Sequence, residues 1–425
     1  LSLKENSVKN DYVGLLRRNP EYSKLWIAQV VSLLGDWFNT VALSALVAQF
    51  TEGSGLAISF FLLSRFLAPL LVRPFAGVLI DRYNRKWLMI WSNLLRALIV
   101  PLFLLADSPE QLWLIYGVTI IQFALSAIFE PCQSAIIPAL LQPDDLVRGN
   151  TLINVTWSVM LALGALLGGA FSSLFGREAA IIFDALTFLL ASGIILWVRY
   201  VPFEAPKTDE KTDDTRFVDG LRFLQKTPMM RWTLFIKLGS TIGNMDTLYT
   251  IIATQVFILG TGGELSLGIM YSVYGLGAFI GPLVINRWND GNVETMRRLV
   301  MVGFLLITAS WFWMGASTTL VWLCVGIFVR AMGGSVNWTY STILVQKTAP
   351  NRYLGRMFSL DFMGFEISTV LTVLIHGALI DILGVQAVTA ILLGTGVVAL
   401  VPMLIWWTVY PRLNATPAPS LAGTD

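Results

Sequence analysis

The sequence predicts an all-α integral membrane protein with twelve transmembrane helices in two pseudo-symmetric six-helix bundles. Three observations predict it. Apolar runs long enough to cross a bilayer recur along the whole chain. Basic residues gather on alternate connections. The second half repeats signatures of the first. Composition agrees: of 425 residues, 55% are hydrophobic and 13% charged, against about 25% charged in an ordinary soluble domain. Too few charges remain to coat two or three water-exposed domains. This excludes a soluble enzyme, a disordered chain and a basic nucleic-acid binder.

A helical crossing takes about 20 mostly apolar residues. Runs of that kind fall at 25–50, 56–80, 87–106, 112–140, 151–173, 179–198, 232–258, 265–286, 299–316, 319–345, 357–381 and 386–410. Hydrocarbon offers no partner to open backbone groups, so each run is read as a helix. With the N-terminus in the cytoplasm, the basic residues of the connections fall on the cytoplasmic side, and Arg177 alone stands opposite. Both termini are therefore expected in the cytoplasm. The first twenty residues are polar and charged and contain no cleavable signal pattern.

The expected organisation is a cytoplasmic N-terminal segment (1–24), a first six-helix bundle (25–198), a cytoplasmic linker (199–231), a second bundle (232–410) and a disordered cytoplasmic tail (411–425). Within the linker, FVDGLRFLQKTP reads as a short amphipathic surface helix stopped before Pro228.

The halves repeat. GVLIDRYNRKW after the second run, from Gly77 to Trp87, has its counterpart in GPLVINRWNDGN after the eighth, from Gly281 to Asn292. Ser32, Gly35 and Asp36 in the first run align with Ser240, Gly243 and Asn244 in the seventh. An offset of roughly 205 residues fits a parallel six-plus-six duplication.

GVLIDRYNRK resembles the loop motif of the major facilitator superfamily, Gly-x-Leu-x-Asp-Arg-x-Gly-Arg-Lys. Gly77, Leu79, Asp81, Arg82, Arg85 and Lys86 match, and Asn84 replaces the second glycine. SLLGDWFNTVAL, FEPCQSAIIPALLQPDDLVRGN, FDALTFL and VQKTAPNRYLGRMFS look like the macrolide-efflux and siderophore-exporter branch of drug:proton antiporters. The resemblance implies alternating access in a bacterial inner membrane. It also implies a gating role for Gly77, Asp81, Arg82, Arg85 and Lys86, the loop packing against the eleventh helix. It does not fix the substrate, because fold alone does not give function.

Ionisable and polar residues inside a membrane are costly, and they mark working or paired positions. The first run carries Gln29, Ser32, Asp36 and Asn39, and the fourth carries Thr119, Gln122, Ser126, Glu130 and Gln133. The tenth carries Arg330, Asn337 and Ser341, and the seventh Asn244 and Asp246. Helical spacing puts each set on one face. Asp36 lies about 16 Å along the first helix. Proton coupling is assigned to Asp36, Glu130 and Glu366. Arg96 or Arg65 is the expected partner of Asp36 and Glu130, and Arg330 that of Glu366. A permanent Asp–Arg pair that locks helices is the competing reading. Substrate binding is assigned to Gln29, Asp36, Asn39, Gln122, Trp157, Asn244, Asp246, Arg330 and Asn337. Three further readings are structural: Asp184 toward the outer side of the sixth run, Asp361 at the interface, and Lys237 snorkelling from about one turn in.

His376 is the one histidine, too few for a zinc site, and more often a helix-contact residue than a proton carrier. Cys132 and Cys324 give no disulfide framework. No metal and no cofactor is expected beyond a proton gradient, though carboxylates serve sodium equally. The expected protein is a monomeric, lipid-embedded exporter of an amphiphilic organic compound such as a drug, a macrolide or a siderophore, with no nucleic-acid partner. The alternatives are a lysophospholipid flippase and a non-transporting sensor or channel.

Overall fold

The computed structural model describes residues 12–142, 145–200 and 217–415. The described elements are helical throughout. A short α1 (Tyr12–Arg18) leads into α2 (Pro20–Phe50), α3 (Gly55–Arg82), α4 (Arg85–Ile99), α5 (Leu112–Leu140), α6 (Leu146–Phe175) and α7 (Arg177–Leu196). After the linker come α8 (Phe217–Lys226), α9 (Pro228–Thr241), α10 (Asp246–Ile251), α11 (Glu264–Ile285), α12 (Val293–Gly315), α13 (Leu320–Thr348), α14 (Asn351–Leu383) and α15 (Val388–Ala415). Among the described residues, ten helices are long and apolar enough to cross a membrane, and Gly55–Pro69 of α3 is a shorter apolar stretch. The amphipathic linker helix forms as α8. Most of the linker's remainder and the last ten residues lie outside the described residues.

Local chemistry sets the ends. Pro20 opens α2, where its missing N–H costs nothing and its fixed φ suits the first turn. Ser54 caps α3 by accepting from the Ala57 amide at 3.3 Å. Asn84 caps α4 by accepting from the Lys86 amide at 3.0 Å. Gly176 joins α6 to α7 at φ 86°, a left-handed conformation that glycine adopts without steric cost.

The expected seventh span does not run through. It breaks into α9 and α10 at residues 242–245, and a single π turn, Ile252–Val256, follows. Gly243 sits at φ 86°. Its carbonyl, freed from the helical ladder, accepts from Arg330 Nη2 at 2.6 Å. Interrupted backbone at membrane depth has to be satisfied by protein in this way.

The chain divides into two compact units. The first gathers Leu1–Lys207, Asp246–Gly275 and His376–Val385; the second gathers Thr208–Met245, Leu276–Ile375 and Gln386–Asp425. In the first, Leu15, Tyr22, Leu25, Met89, Phe129 and Ile195 form one core cluster. Small residues let backbones meet. A Cβ on Gly169 would lie 2.4 Å from the Glu264 carbonyl, and one on Gly275 would lie 2.7 Å from the Ala162 amide. Close packing of this kind replaces the hydrophobic drive that lipid cannot supply. In the second unit, Ile236, Phe304, Val336, Tyr340 and Trp406 belong to one cluster.

Candidate functional site

The site in the first unit starts from Gly35. A Cβ there would fall 2.0 Å from Thr187 Oγ1 and 2.6 Å from Asp184 Oδ1. Glycine therefore lets α2 press onto α7 at the turn that carries Asp36. Arg96 of α4 reaches into the same place. Its Nη1 stands 4.0 Å from Asp36 Oδ2. Its Nη2 donates to Asn93 Oδ1. Its guanidinium lies 4.3 Å from the Phe188 ring centroid and 5.2 Å from that of Phe129. Aromatic faces stabilise a cation held out of water.

Amides extend the cluster. Gln122 Nε2 donates to Asp36 Oδ1 at 3.3 Å, and Asn39 Nδ2 donates to Gln122 Oε1 at 3.4 Å. Further along the same two helices, Gln133 Nε2 donates to Gln29 Oε1 at 2.9 Å. The structure thus brings Asp36, Asn39 and Gln122 together on the α2–α5 contact, while Gln29 meets Gln133 further along it. The Asp36 side chain keeps 24% of its exposure, whereas that of Arg96 keeps 3%. Glu130 is exposed and lies within electrostatic reach of Asp36 and Arg96.

Asp246 joins the same unit. Tyr271 Oη donates to Asp246 Oδ1 at 3.2 Å, and Arg65 lies in the field of Asp246, Tyr271 and Asp36. The Trp37 and Tyr271 rings are 5.4 Å apart. Trp157 is half exposed, at 52%.

In the second unit, Asn337 Nδ2 donates to Ser240 Oγ at 2.9 Å, and Arg330 holds the Gly243 carbonyl. Arg330 also faces the Trp311 ring at 5.2 Å. Asn244 and Glu366 are half-buried. Gly77 and Asp81 lie in the last turns of α3, and their side chains fall outside the described residues. Arg82 is exposed. Arg85 Nη1 donates to the Ala135 carbonyl, and Lys86 Nζ to the Leu196 carbonyl, each at 2.9 Å.

Sequence reasoning missed two features. Asp184, read as a structural acid apart from the cluster, is fully buried within reach of Asp36 and Arg96. Lys237 and Asp361, read as interfacial, form a buried pair at 2.5 Å. No group of three or more His, Cys, Asp and Glu that would suit a metal occurs among the described residues.

A bundle of long apolar helices with a buried cluster of charged and amide side chains matches a known pattern. The Major Facilitator Superfamily pattern covers residues 25–293 and again 243–423. The chain belongs to the major facilitator superfamily. As a member, it is a multi-pass membrane transporter working by secondary transport, and not an enzyme. It is 23% identical over 384 residues to the putative bacilysin exporter BacE of Bacillus subtilis, covering 88% of this chain and 91% of that one. It is 27% identical over 395 residues to macrolide efflux protein A of Streptococcus pyogenes, covering 86% and 91%. Among solved structures, the nucleoside transporter NupG superposes with a TM-score of 0.69 at 14% identity, over 91% of this chain and 99% of that one. A bacterial homologue of the iron transporter ferroportin superposes at 0.64 with 15% identity, over 91% and 98%. These two likenesses concern the fold of this superfamily.

Proposed function

We propose that this protein exports an amphiphilic organic compound, drug-, macrolide- or siderophore-like, by proton-coupled alternating access. On this reading, twelve spans form two six-helix bundles, 25–198 and 232–410, with both termini in the cytoplasm of a bacterial cell and a monomer as the working unit. The observation that carries it is the Asp36–Arg96 pair at 4.0 Å with Gln122 bonded to the same carboxylate. Ions inside a membrane segment are expensive and persist where they pair or work. This pair is loose for an ion pair, and one partner is part-exposed. A carboxylate so placed can trade its guanidinium for a proton. Relatives named as exporters of bacilysin and of macrolides point in the same direction.

In the cycle, protonation of Asp36 releases Arg96, and substrate leaves on the side from which protons arrive. Gln29, Asn39 and Gln122 offer amide donors and acceptors to the polar part of the substrate. Asn244, Asp246, Arg330 and Asn337 supply corresponding groups from the second half. Glu130 and Glu366 are further candidates for carrying protons. Gly77, Asp81, Arg82, Arg85 and Lys86 form the gating loop.

The test uses purified protein in sealed proteoliposomes with an internal pH dye and an imposed proton gradient. Macrolides, cationic dyes, siderophores and lysophospholipids are added in turn, with the Asp36→Asn variant in parallel. Proton movement triggered by one class, and absent in the variant, supports the reading. Wild-type proton movement in the variant, or movement that follows a sodium gradient alone, rejects it.

A further inference from the structure

We propose that Asp184 is a proton-binding site: it holds a proton in the resting network and delivers it through Asp36. The inference rests on reading the Asp36–Arg96 network as the coupling site, and it adds the group that stores the ion.

The charges around Asp184 can be counted element by element. From α2 it meets Asp36, and from α4 it meets Arg96. The 3-10 turn Val100–Leu105 that extends α4 has no charged residue. The one charged residue of α6 is Arg148, which is engaged with Asp145 at 3.0 Å. On α5 and α3, Glu130 and Arg65 act on Asp36. Arg65 also answers Asp246. One guanidinium, Arg96, therefore serves both Asp36 and Asp184, and Glu130 lies in its field as well.

Geometry gives that guanidinium to Asp36. Arg96 Nη1 faces Asp36 and its Nη2 is taken by Asn93. Asp36 also has the Gln122 amide and a part-exposed side chain. Asp184 lacks that exposure, and the Gln122 and Asn39 amides stand beside it. It is fully buried, and no donor among the described residues reaches either of its oxygens at hydrogen-bonding geometry. The α2 backbone at Gly35 closes over Oδ1. An ionised carboxylate left so is strongly disfavoured, and it takes up a proton instead. The Asn39 amide lies beside Asp184, and Asn39 Oδ1 is itself a buried acceptor without a donor. A proton on Asp184 supplies the missing donor.

The transfer balances. The Asp184 O–H bond breaks as an O–H bond forms on Asp36. The Arg96 guanidinium turns from the neutralised Asp36 to the new Asp184 anion, so the network's net charge is unchanged. Asp36, the part-exposed member, then exchanges the proton with water.

The test is infrared difference spectroscopy of the purified full chain at neutral pH. The carbonyl-stretch band of a protonated carboxyl, identified by its shift in D2O, is compared in wild type and Asp184→Asn. Loss of the band in the variant supports the site. An absent wild-type band, or one that survives in Asp184→Asn, overturns it whatever transport assays give. A band lost in the variant while transport proves independent of the proton gradient keeps this site and rejects proton coupling. If Asp184→Asn does not fold, Asp184→Glu has to move the band, and an unmoved band overturns the proposal.

Discussion

Lys237 Nζ lies 2.5 Å from Asp361 Oδ2, with both side chains withdrawn from solvent. The ammonium also faces two rings, 4.1 Å from the Trp338 centroid and 4.6 Å from the Phe362 centroid. Breaking one half of a buried pair strands the other charge, at a cost of about 3–5 kcal/mol, while replacing both is far milder. Lys237→Met is therefore expected to lower the melting temperature in detergent sharply. The Lys237→Met/Asp361→Leu double variant is expected to regain most of the loss. Tryptophan-fluorescence melts of the three proteins check this, and equal loss in single and double variants would contradict it.

Gly243 is required twice over. Its φ of 86° strains any other residue, and a Cβ would meet Trp311 Cζ2 at 2.5 Å. Gly394 is a helical glycine with nothing within 4 Å of its Cβ position. Gly243→Ala is expected to destabilise the protein. Gly394→Ala is expected to stabilise it by about 0.5–1 kcal/mol, the usual helix-interior difference. Opposite shifts in melting temperature would verify both signs.

Much of this was legible in the sequence. Run length gave most helices within a few residues, because lipid leaves the backbone no other option. Polar spacing on the first and fourth runs picked out Asp36, Asn39 and Gln122, which meet in space, and Gln29 and Gln133, which meet further along the same helices. The repeat was the weak guide. Gly35 and Gly243 align, yet Gly35 stays helical and admits α7, while Gly243 turns left-handed and breaks its helix. The difference depends on Arg330 and Trp311, which lie far along the chain. Asp184 and Asp361 were misplaced for a similar reason. Depth in a span says where an acid sits along its helix, but not which neighbour faces it.

Asp145 makes a pH prediction outside the membrane. Asn19 Nδ2 donates to its Oδ2 at 2.8 Å, and Arg18 and Arg148 reach Oδ1 at 3.4 and 3.0 Å. The Asn19 bond foremost, with the two guanidinium groups, holds its carboxyl below the usual aspartate value. A depressed folded value means the contribution to stability is complete above the unfolded value of about 3.9. It fades as pH falls through the folded value. Melts between neutral and acid pH should show wild type losing stability over that window. Asp145→Asn should start lower and lose less across it. Parallel curves would remove Asp145 from the acid response.

Asp381 caps a helix that is distant in sequence. Its Oδ1 accepts from the Gly55 amide at 2.6 Å, and its Oδ2 accepts from the Leu56 amide at 3.2 Å and from Ser54 Oγ at 3.1 Å. These amides open α3, where a helix has unpaired donors and a partial positive charge. Backbone contact brings the acid there: a Cβ on Gly55 would lie 2.5 Å from the Gly377 carbonyl. Ser54 meanwhile uses its own oxygen on the Ala57 amide. One cap is thus built from two side chains of separate segments. Asp381→Ala is expected to cost about 1 kcal/mol, as cap removals do. Ser54→Ala should cost less once Asp381 is gone, because residues sharing partners are not additive. A double-mutant cycle on melting temperature measures that coupling. Strict additivity would mean that Asp381 and Ser54 stabilise α3 separately, and that the carboxylate's bonds to Gly55 and Leu56 do not depend on the hydroxyl between them.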